Sequence, residues 1–142
     1  MRQILYGALL LATTACASVG GYRSTSDAAV RETNIVKDND KQEYELIIID
    51  PGYNQWKVTN ARPVWFYSQA YYENWNQRYV QAWNEKVNQA VNYPSANYPF
   101  ENRIDYNPNI DYGLALNYEL FTYFRYVESQ FGTRYGFRGL AS

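Results

Sequence analysis

The fold of this chain is decided by residues 68–91, which read SQAYYENWNQRYVQAWNEKVNQAV and contain neither Pro nor Gly. At about 100° per residue, the step of an α-helix, the large apolar side chains fall on one arc and most polar ones on the other. The apolar arc consists of Tyr71, Tyr72, Trp75, Tyr79, Ala82, Trp83, Val87 and Ala90. Asn76 and Lys86 are polar residues on the same arc. We therefore predict a long helix, capped by Ser68, whose aromatic face forms the core.

A second amphipathic pattern occupies residues 112–131 and follows Asp111, which can cap a helix. Its core-facing residues recur at intervals of three or four: Leu116, Leu120, Phe124, Val127 and Phe131. Four other residues are predicted to lie away from this face: Tyr118, Thr122, Tyr126 and Ser129. We expect the helix to end at Gly132, since glycine is common just after a helix.

The strand signals are shorter. Residues 44–49, YELIII, are rich in β-branched side chains and predict a strand, and residues 102–106, NRIDY, predict a second strand that could pair with it. Asp50 and Pro51 can begin a short helix that runs to about Asn60, with a hairpin turn into a further strand as the alternative. We therefore predict a small single α+β domain, in which the long aromatic-faced helix and the second helix pack on a two- or three-stranded sheet.

The start of the chain is typical of an export signal. Arg2 precedes a short apolar run at residues 4–12, which is well below the roughly 20 residues of a membrane-spanning helix. Small residues then lead to Cys16, in an arrangement that resembles the lipobox of bacterial lipoproteins, although Thr13 replaces the usual apolar residue. In that family the cysteine is lipidated. Ordinary cleavage after residues 15–17, Ala-Cys-Ala, is the alternative, but a lone cysteine in an exported protein favours lipidation.

These patterns divide the chain into four parts. We predict a signal peptide at residues 1–15, a lipid-anchored flexible tether at 16–42, a globular domain at 43–132 and a Gly-rich tail at 133–142. A strand that begins at residues 35–36 is the alternative within the tether. The residue directly after the cysteine is Ala17 and not Asp, and by resemblance to lipoprotein sorting this favours the outer membrane, on its periplasmic side. We expect the membrane contact to be made by the N-terminal lipid.

Three segments of the predicted domain resemble a known family. They are YELIIIDPGYNQW (44–56), ARPVWFYSQAYYENWNQRYVQAWN (61–84) and IDYNPNIDYGLALNYELFTYF (104–124). Together they resemble a small family of Bacteroidota lipoproteins classed as a domain of unknown function, over roughly residues 44–131. The resemblance implies secretion, lipidation and one compact domain, and it assigns no activity, cofactor or catalytic residue.

The composition excludes several kinds of chemistry. The chain has no His and a single Cys, so it lacks a Ser–His or Cys–His pair and the usual zinc ligands. It has no Gly-rich phosphate loop. Its 13 basic and 14 acidic residues are nearly balanced, which gives no electrostatic reason to expect a nucleic-acid partner. We therefore predict no cofactor and no metal.

Carboxylates are the remaining catalytic groups. Residues 105–111, DYNPNID, are similar in spacing to a calcium loop, but Ile110 and Leu116 stand where that loop needs Gly and Glu. We therefore favour the alternative that residues 105–111 form a turn and a helix cap. Four carboxylates could supply a glycosidase-type pair: Glu73, Asp105, Asp111 and Glu119. Their spacing selects no pair among them.

Aromatic side chains are the most informative feature for function. They make up 18% of the chain, and their rings can stack on sugars or anchor a protein interface. We predict a binding surface in which Trp65 and Tyr67 form a groove with the loop that contains Tyr93 and Tyr98. The alternative is that the rings form the core and its rim. The function that we predict is non-catalytic binding of an envelope protein or glycan. A carboxylate-dependent enzyme that acts on cell-wall or other polysaccharide is the alternative.

Overall fold

The computed structural model describes residues 31–38, 43–93 and 97–139. The elements in this part are β1 (Glu32–Asp38), β2 (Glu43–Ile49), α1 (Tyr53–Asn60), α2 (Gln69–Asn88) and α3 (Gly113–Tyr135), with 3-10 turns at Val64–Phe66 and Ala90–Asn92. The strands form one two-stranded antiparallel sheet. The predicted α+β class is therefore confirmed. Across these three ranges, no helix combines the length and the hydrophobicity that crossing a membrane requires.

Helix α3 lies at the centre of the domain. It packs against α2 on one side and against α1 and β2 on others. Thr122 and Tyr126, which the sequence placed away from the core, are therefore buried. The prediction failed because a single apolar stripe describes a helix with one buried face, whereas α3 is enclosed by several elements.

The sheet is a local hairpin. Its register pairs Glu32 with Ile49 and Ile35 with Leu46, and both members of the second pair pack against the core. The predicted flexible tether, residues 16–42, is thus corrected over β1, because this part of the chain gains a full strand partner and an apolar contact. The predicted signal peptide, Cys16 and residues 17–30 lie outside the described residues.

Residues 102–106 do not form the predicted second strand. Their backbone is instead held by the side chain of Asn84 on α2. Its Oδ1 accepts a hydrogen bond from the Ile104 N–H at 2.9 Å, and its Nδ2 donates to the Ile104 carbonyl at 3.0 Å. The Trp83 indole donates to the Asn102 carbonyl at 2.8 Å. Side chains of α2 thus supply the hydrogen bonds that a neighbouring strand would have supplied.

Asn76, one of the polar residues on the predicted apolar arc, is fully buried and links α2 to α3. Its Nδ2 donates to the Asn117 carbonyl at 2.9 Å and to Asn117 Oδ1 at 3.1 Å. The Tyr106 hydroxyl also donates to Asn117 Oδ1, at 2.9 Å. A buried amide with these partners fixes the relative position of the two helices, since any shift would leave polar groups without hydrogen bonds.

Of the N-terminal caps predicted for α1 and α2, one is present and one is not. Ser68 caps α2 as predicted, because its hydroxyl accepts from the Tyr71 N–H. Helix α1 is present, so the alternative hairpin turn is wrong, but Asp50 does not cap it. Asp50 is buried and accepts instead from the Gly52 N–H, the Tyr126 hydroxyl and Arg31 Nε. It therefore ties the hairpin and α1 to α3.

The C-terminal boundary is also corrected. Helix α3 continues through Gly132 and is ended by Gly136, which has the left-handed φ of 65°. Gly132 allows the following chain to pack closely, because a Cβ at this position would lie 2.9 Å from the Phe137 carbonyl oxygen. Phe137 itself is fully buried. The predicted Gly-rich tail, residues 133–142, therefore contains part of the core.

Candidate functional site

The structure separates the four residues of the predicted binding surface. Trp65 and Tyr67 lie before α2, whereas Tyr93 and Tyr98 lie after it. Helix α2 has 20 residues and is therefore about 30 Å long. Tyr98 is also buried, and its hydroxyl donates to the Lys86 carbonyl at 2.6 Å. The predicted groove is thus corrected, because its two halves lie at opposite ends of a helix and one member belongs to the core.

A cleft of about 520 Å³ opens beside Tyr67, between α1, the chain that follows it, α2 and α3. Its aromatic lining consists of Trp56, Tyr67, Tyr71, Tyr72, Tyr118 and Phe121. Its polar lining consists of Asn60, Arg62, Thr122, Arg125, Glu128 and Ser129. We call it the aromatic cleft. Its volume lies within the roughly 300–1,000 Å³ of small-ligand sites.

One wall of the aromatic cleft is built at the start of α2. The rings of Tyr67 and Tyr71 stack with centroids 3.9 Å apart and an interplanar angle of 13°. Tyr72 and Phe121 continue this wall, with ring centroids 5.2 Å apart. Burial raises the pKa of both Tyr71 and Tyr72, so their hydroxyls stay protonated at neutral pH. The wall is therefore uncharged, and its partly exposed rings are those of Tyr67 and Tyr71.

A charged group lies at the α3 side of the cleft. Arg125 Nη1 donates to Glu128 Oε2, one helical turn away, and to the Tyr79 hydroxyl at 3.3 Å. That hydroxyl in turn donates to Glu128 Oε2 at 2.8 Å. Burial lowers the pKa of Arg125, but the hydrogen bond to Tyr79 and the charge of Glu128 outweigh this, and the net shift is upward. Arg125 therefore stays charged, and 42% of its side chain remains exposed.

The chain between α1 and α2 forms the rim. Tyr118 on α3 donates its hydroxyl proton to the Arg62 carbonyl at 2.8 Å, which holds this segment against the domain. The Arg62 guanidinium lies 4.2 Å from the centroid of the Phe66 ring. Trp65, in the same segment, is 75% exposed. Of the predicted surface, Tyr67 thus lines the cleft and Trp65 stands near its rim.

The four carboxylates that the sequence singled out lie elsewhere. Glu119 binds Lys57 and accepts from the Tyr53 hydroxyl at 3.0 Å. Glu73 and Asp111 both accept from the Gln69 side chain, and Asp105 is exposed on the 102–112 segment. Among the described residues, the carboxylate that lines the cleft is Glu128, which was not one of the predicted site residues. Its spacing of three residues from Arg125 was the available signal.

The loop at residues 105–111 makes turns rather than an assembled ligand set. Asn107 Oδ1 accepts from the Asn109 N–H, and Asp111 Oδ1 accepts from the Gly113 N–H, each at 2.9 Å. These are the local bonds of turns. Helix α3 begins after Tyr112 and has no side-chain cap, so the predicted cap by Asp111 is wrong. Over the described ranges, no group of three or more His, Cys, Asp or Glu side chains is placed to hold a metal ion.

Comparison with known proteins identifies a family. The chain belongs to a family of unknown function, DUF6146, whose model matches residues 4–141. The match includes α1, α2 and α3, and hence every element that forms the aromatic cleft. No curated protein and no solved structure matches the chain.

Proposed function

We propose that this protein is a lipid-anchored protein of the bacterial cell envelope whose domain binds another envelope component without catalysing a reaction. The aromatic cleft is the observation that carries this proposal. It combines six aromatic side chains with a partly exposed charged pair, and it is open to solvent. Concave sites of this composition are typical of ligand binding, since rings supply contact area and a few polar groups orient the ligand.

The carboxylate content of the cleft favours binding over hydrolysis at this site. Glycosidases use two carboxyl groups, which lie about 5–5.5 Å apart in retaining enzymes and about 6.5–9.5 Å apart in inverting ones. Among the described residues that line the cleft, Glu128 is the sole carboxylate, and it is already bound to Arg125. The alternative of a carboxylate-dependent enzyme therefore lacks its second group at this site.

The N-terminal pattern supports the anchor. A short apolar run after Arg2 leads to Cys16, the single cysteine of the chain. Lipidation of Cys16 would add several acyl chains, each worth about 0.8 kcal/mol per buried methylene, and would hold the domain at the membrane. We propose a Bacteroidota lipoprotein in the outer membrane, on its periplasmic side.

We expect Cys16→Ala to move the protein from the membrane fraction to the soluble periplasmic fraction. The reason is that lipidation begins at the cysteine sulfur, and an alanine has no such atom. Fractionation with mass spectrometry of the mature N-terminus measures both the location and the lipid. Ser18→Ala, two residues further on, is the matched control and should remain in the membrane. A wild-type chain that begins at residue 18 and carries no lipid would contradict the anchor.

We expect a photo-crosslinking amino acid at position 60 to capture one reproducible envelope component in intact cells. Asn60 lines the cleft and is exposed, so a bound component would lie within reach. Capture should fall at least about tenfold in Tyr67→Ala, which removes part of the stacked wall, and should persist in Tyr93→Ala at the other end of α2. The same crosslinker at Asn74, which is exposed outside the cleft, is the position control. Equal capture from both positions, or none, would contradict binding in the cleft.

A further inference from the structure

We infer that the ligand of the aromatic cleft is a saccharide, a short segment of an envelope glycan. The inference rests on the proposed function, because it names the chemical class bound at the same site. It comes from three properties of the cleft, which are the kind of apolar surface it offers, the hydrogen-bonding groups beside that surface, and its charge.

The apolar surface of the cleft is aromatic rather than aliphatic. Six aromatic residues line it, of which Tyr72 and Phe121 are buried and the other four are partly exposed. Ala61 is the one aliphatic residue within the described lining. A hydrophobic peptide side chain or an acyl chain packs well against Leu, Ile and Val, which are missing from that lining. A pyranose ring instead has a flat C–H face that fits an aromatic ring, and its hydroxyls project sideways toward polar groups.

The polar groups lie beside the rings, as hydroxyl recognition requires. Arg125 and Glu128 place a donor and an acceptor next to each other on one turn of α3. Among the described residues, Arg125 makes its hydrogen bonds to Glu128 and Tyr79 through Nη1, so its other N–H groups can serve a ligand. A charged donor next to a charged acceptor matches two neighbouring hydroxyls of a sugar, each of which both donates and accepts.

The charge and the size of the cleft disfavour other macromolecules. Arg62 and Arg125 are opposed by Glu128, so the lining carries only a small positive charge. A nucleic acid requires many more phosphate contacts than two arginines supply. A stable protein interface covers a broad surface of about 800 Å² per partner, whereas the cleft is a concave site with 13 described lining residues. A neutral or weakly acidic saccharide fits both the small charge and the concave shape of the cleft.

Titration of the full mature chain with soluble oligosaccharides tests the inference. The protein is kept in a detergent without a sugar headgroup, so that the detergent does not compete. The probes are trimers of N-acetylglucosamine, glucose in β-1,4 and α-1,4 linkage, and galacturonic acid, together with soluble peptidoglycan fragments. Intrinsic fluorescence is followed because Trp56, one of the four tryptophans, lines the cleft. Saturation-transfer NMR identifies which sugar protons lie closest to the protein.

We expect at least one probe to bind, and its affinity to fall about tenfold or more in Tyr67→Ala and in Arg125→Gln, which corresponds to about 1.4 kcal/mol. Tyr93→Ala and Arg134→Gln change the same residue types away from the cleft and should bind within about twofold of the wild type. Circular dichroism verifies that each variant is folded. Arg62→Gln, an exposed rim change, provides the test if Arg125→Gln does not fold.

The outcomes separate this inference from the proposed function. Absence of binding by every probe would overturn the saccharide, while capture of a protein from position 60 would leave the binding function standing. Binding that is equal in Tyr67→Ala and Tyr93→Ala would also overturn it, because the sugar would then lie outside the cleft. A probe that binds and is then shortened during incubation would support the saccharide and contradict the non-catalytic role.

Discussion

Replacing Trp83 by Ala is expected to lower the free energy of unfolding by about 3–5 kcal/mol. Trp83 is 1% exposed and lies where α2, α3 and the C-terminal segment meet. Its ring packs against Phe100, Phe124 and Phe137, with centroid distances of 4.9, 5.9 and 6.0 Å. Alanine would leave a large cavity between these rings, and the Asn102 carbonyl would lose its indole donor.

Denaturation in urea, followed by circular dichroism, measures this loss, and the chain contains a matched control. Trp65→Ala removes the same side chain at a position that is 75% exposed. Its effect on the free energy of unfolding should stay within about 0.5 kcal/mol, as for most surface substitutions. Equal losses in the two variants would contradict the core that the structure describes, because they would place both indoles in the same environment.

Trp83 also shows where the sequence was sufficient. It lies on the apolar arc predicted for residues 68–91, and the five buried residues of α2 are Tyr72, Asn76, Tyr79, Val80 and Trp83. Helical periodicity located most of this face because α2 has one buried side and one solvated side. Val80, which was not on the predicted arc, is buried at its edge. On α3 the predicted stripe is also buried at Leu116, Leu120, Phe124 and Val127. The stripe did not include Thr122 and Tyr126, because α3 is buried on several sides.

Two other features depended on contacts that no local pattern shows. Strand β1 has the sequence ETNIVKD, in which only Ile35 and Val36 are apolar, so its own composition predicts a strand weakly. It is stabilised by β2 and by the core beneath it. Residues 102–106 have a strand-like alternation, yet their backbone partner is the Asn84 side chain on α2. Such a long-range amide contact has no signature in the segment that receives it.

The candidate site was predicted only in part, because it too depends on contacts between distant parts of the chain. Tyr67 was placed on a binding surface and does line the aromatic cleft, because it directly precedes the Ser68 cap, and the cleft lies at this end of α2. Tyr98 was misplaced, since burial of a loop residue depends on the helix packed over it. Arg125 and Glu128 resemble an ordinary surface pair on a helix. They become part of a cleft only when α1 and the segment after it pack alongside α3.

The second large effect is expected at high pH, where the protein should unfold. Burial, and to a smaller extent the hydrogen bond to Asp50, raises the pKa of Tyr126 to about 12. An unfolded tyrosine titrates near pH 10. Between about pH 10 and pH 12, the unfolded chain has released the Tyr126 proton and the folded chain has kept it. The stability contributed by the protonated hydroxyl is therefore complete below about pH 10 and is lost as the pH rises through 12.

The effect is large because several tyrosines act together. Burial is also the main cause that raises the pKa of Tyr53, Tyr79, Tyr106 and Tyr123 above the ordinary value. Each tyrosine that is ionised only in the unfolded chain lowers the free energy of unfolding by about 1.4 kcal/mol per pH unit. Domains of this size are typically stable by about 5–15 kcal/mol. Cooperative unfolding is thus expected between about pH 10 and 12.

A titration that follows circular dichroism and tyrosinate absorbance on the same sample tests this expectation. The buried tyrosines should ionise together with the loss of helix signal, rather than before it. Tyr123→Phe removes one buried phenol and should move the unfolding midpoint to higher pH, because phenylalanine has no proton to lose. Tyr93→Phe changes a tyrosine that is 40% exposed and should leave the midpoint unchanged. Full tyrosine ionisation in a chain that keeps its helix signal would mean that these hydroxyls reach solvent, which contradicts an aromatic core closed to water.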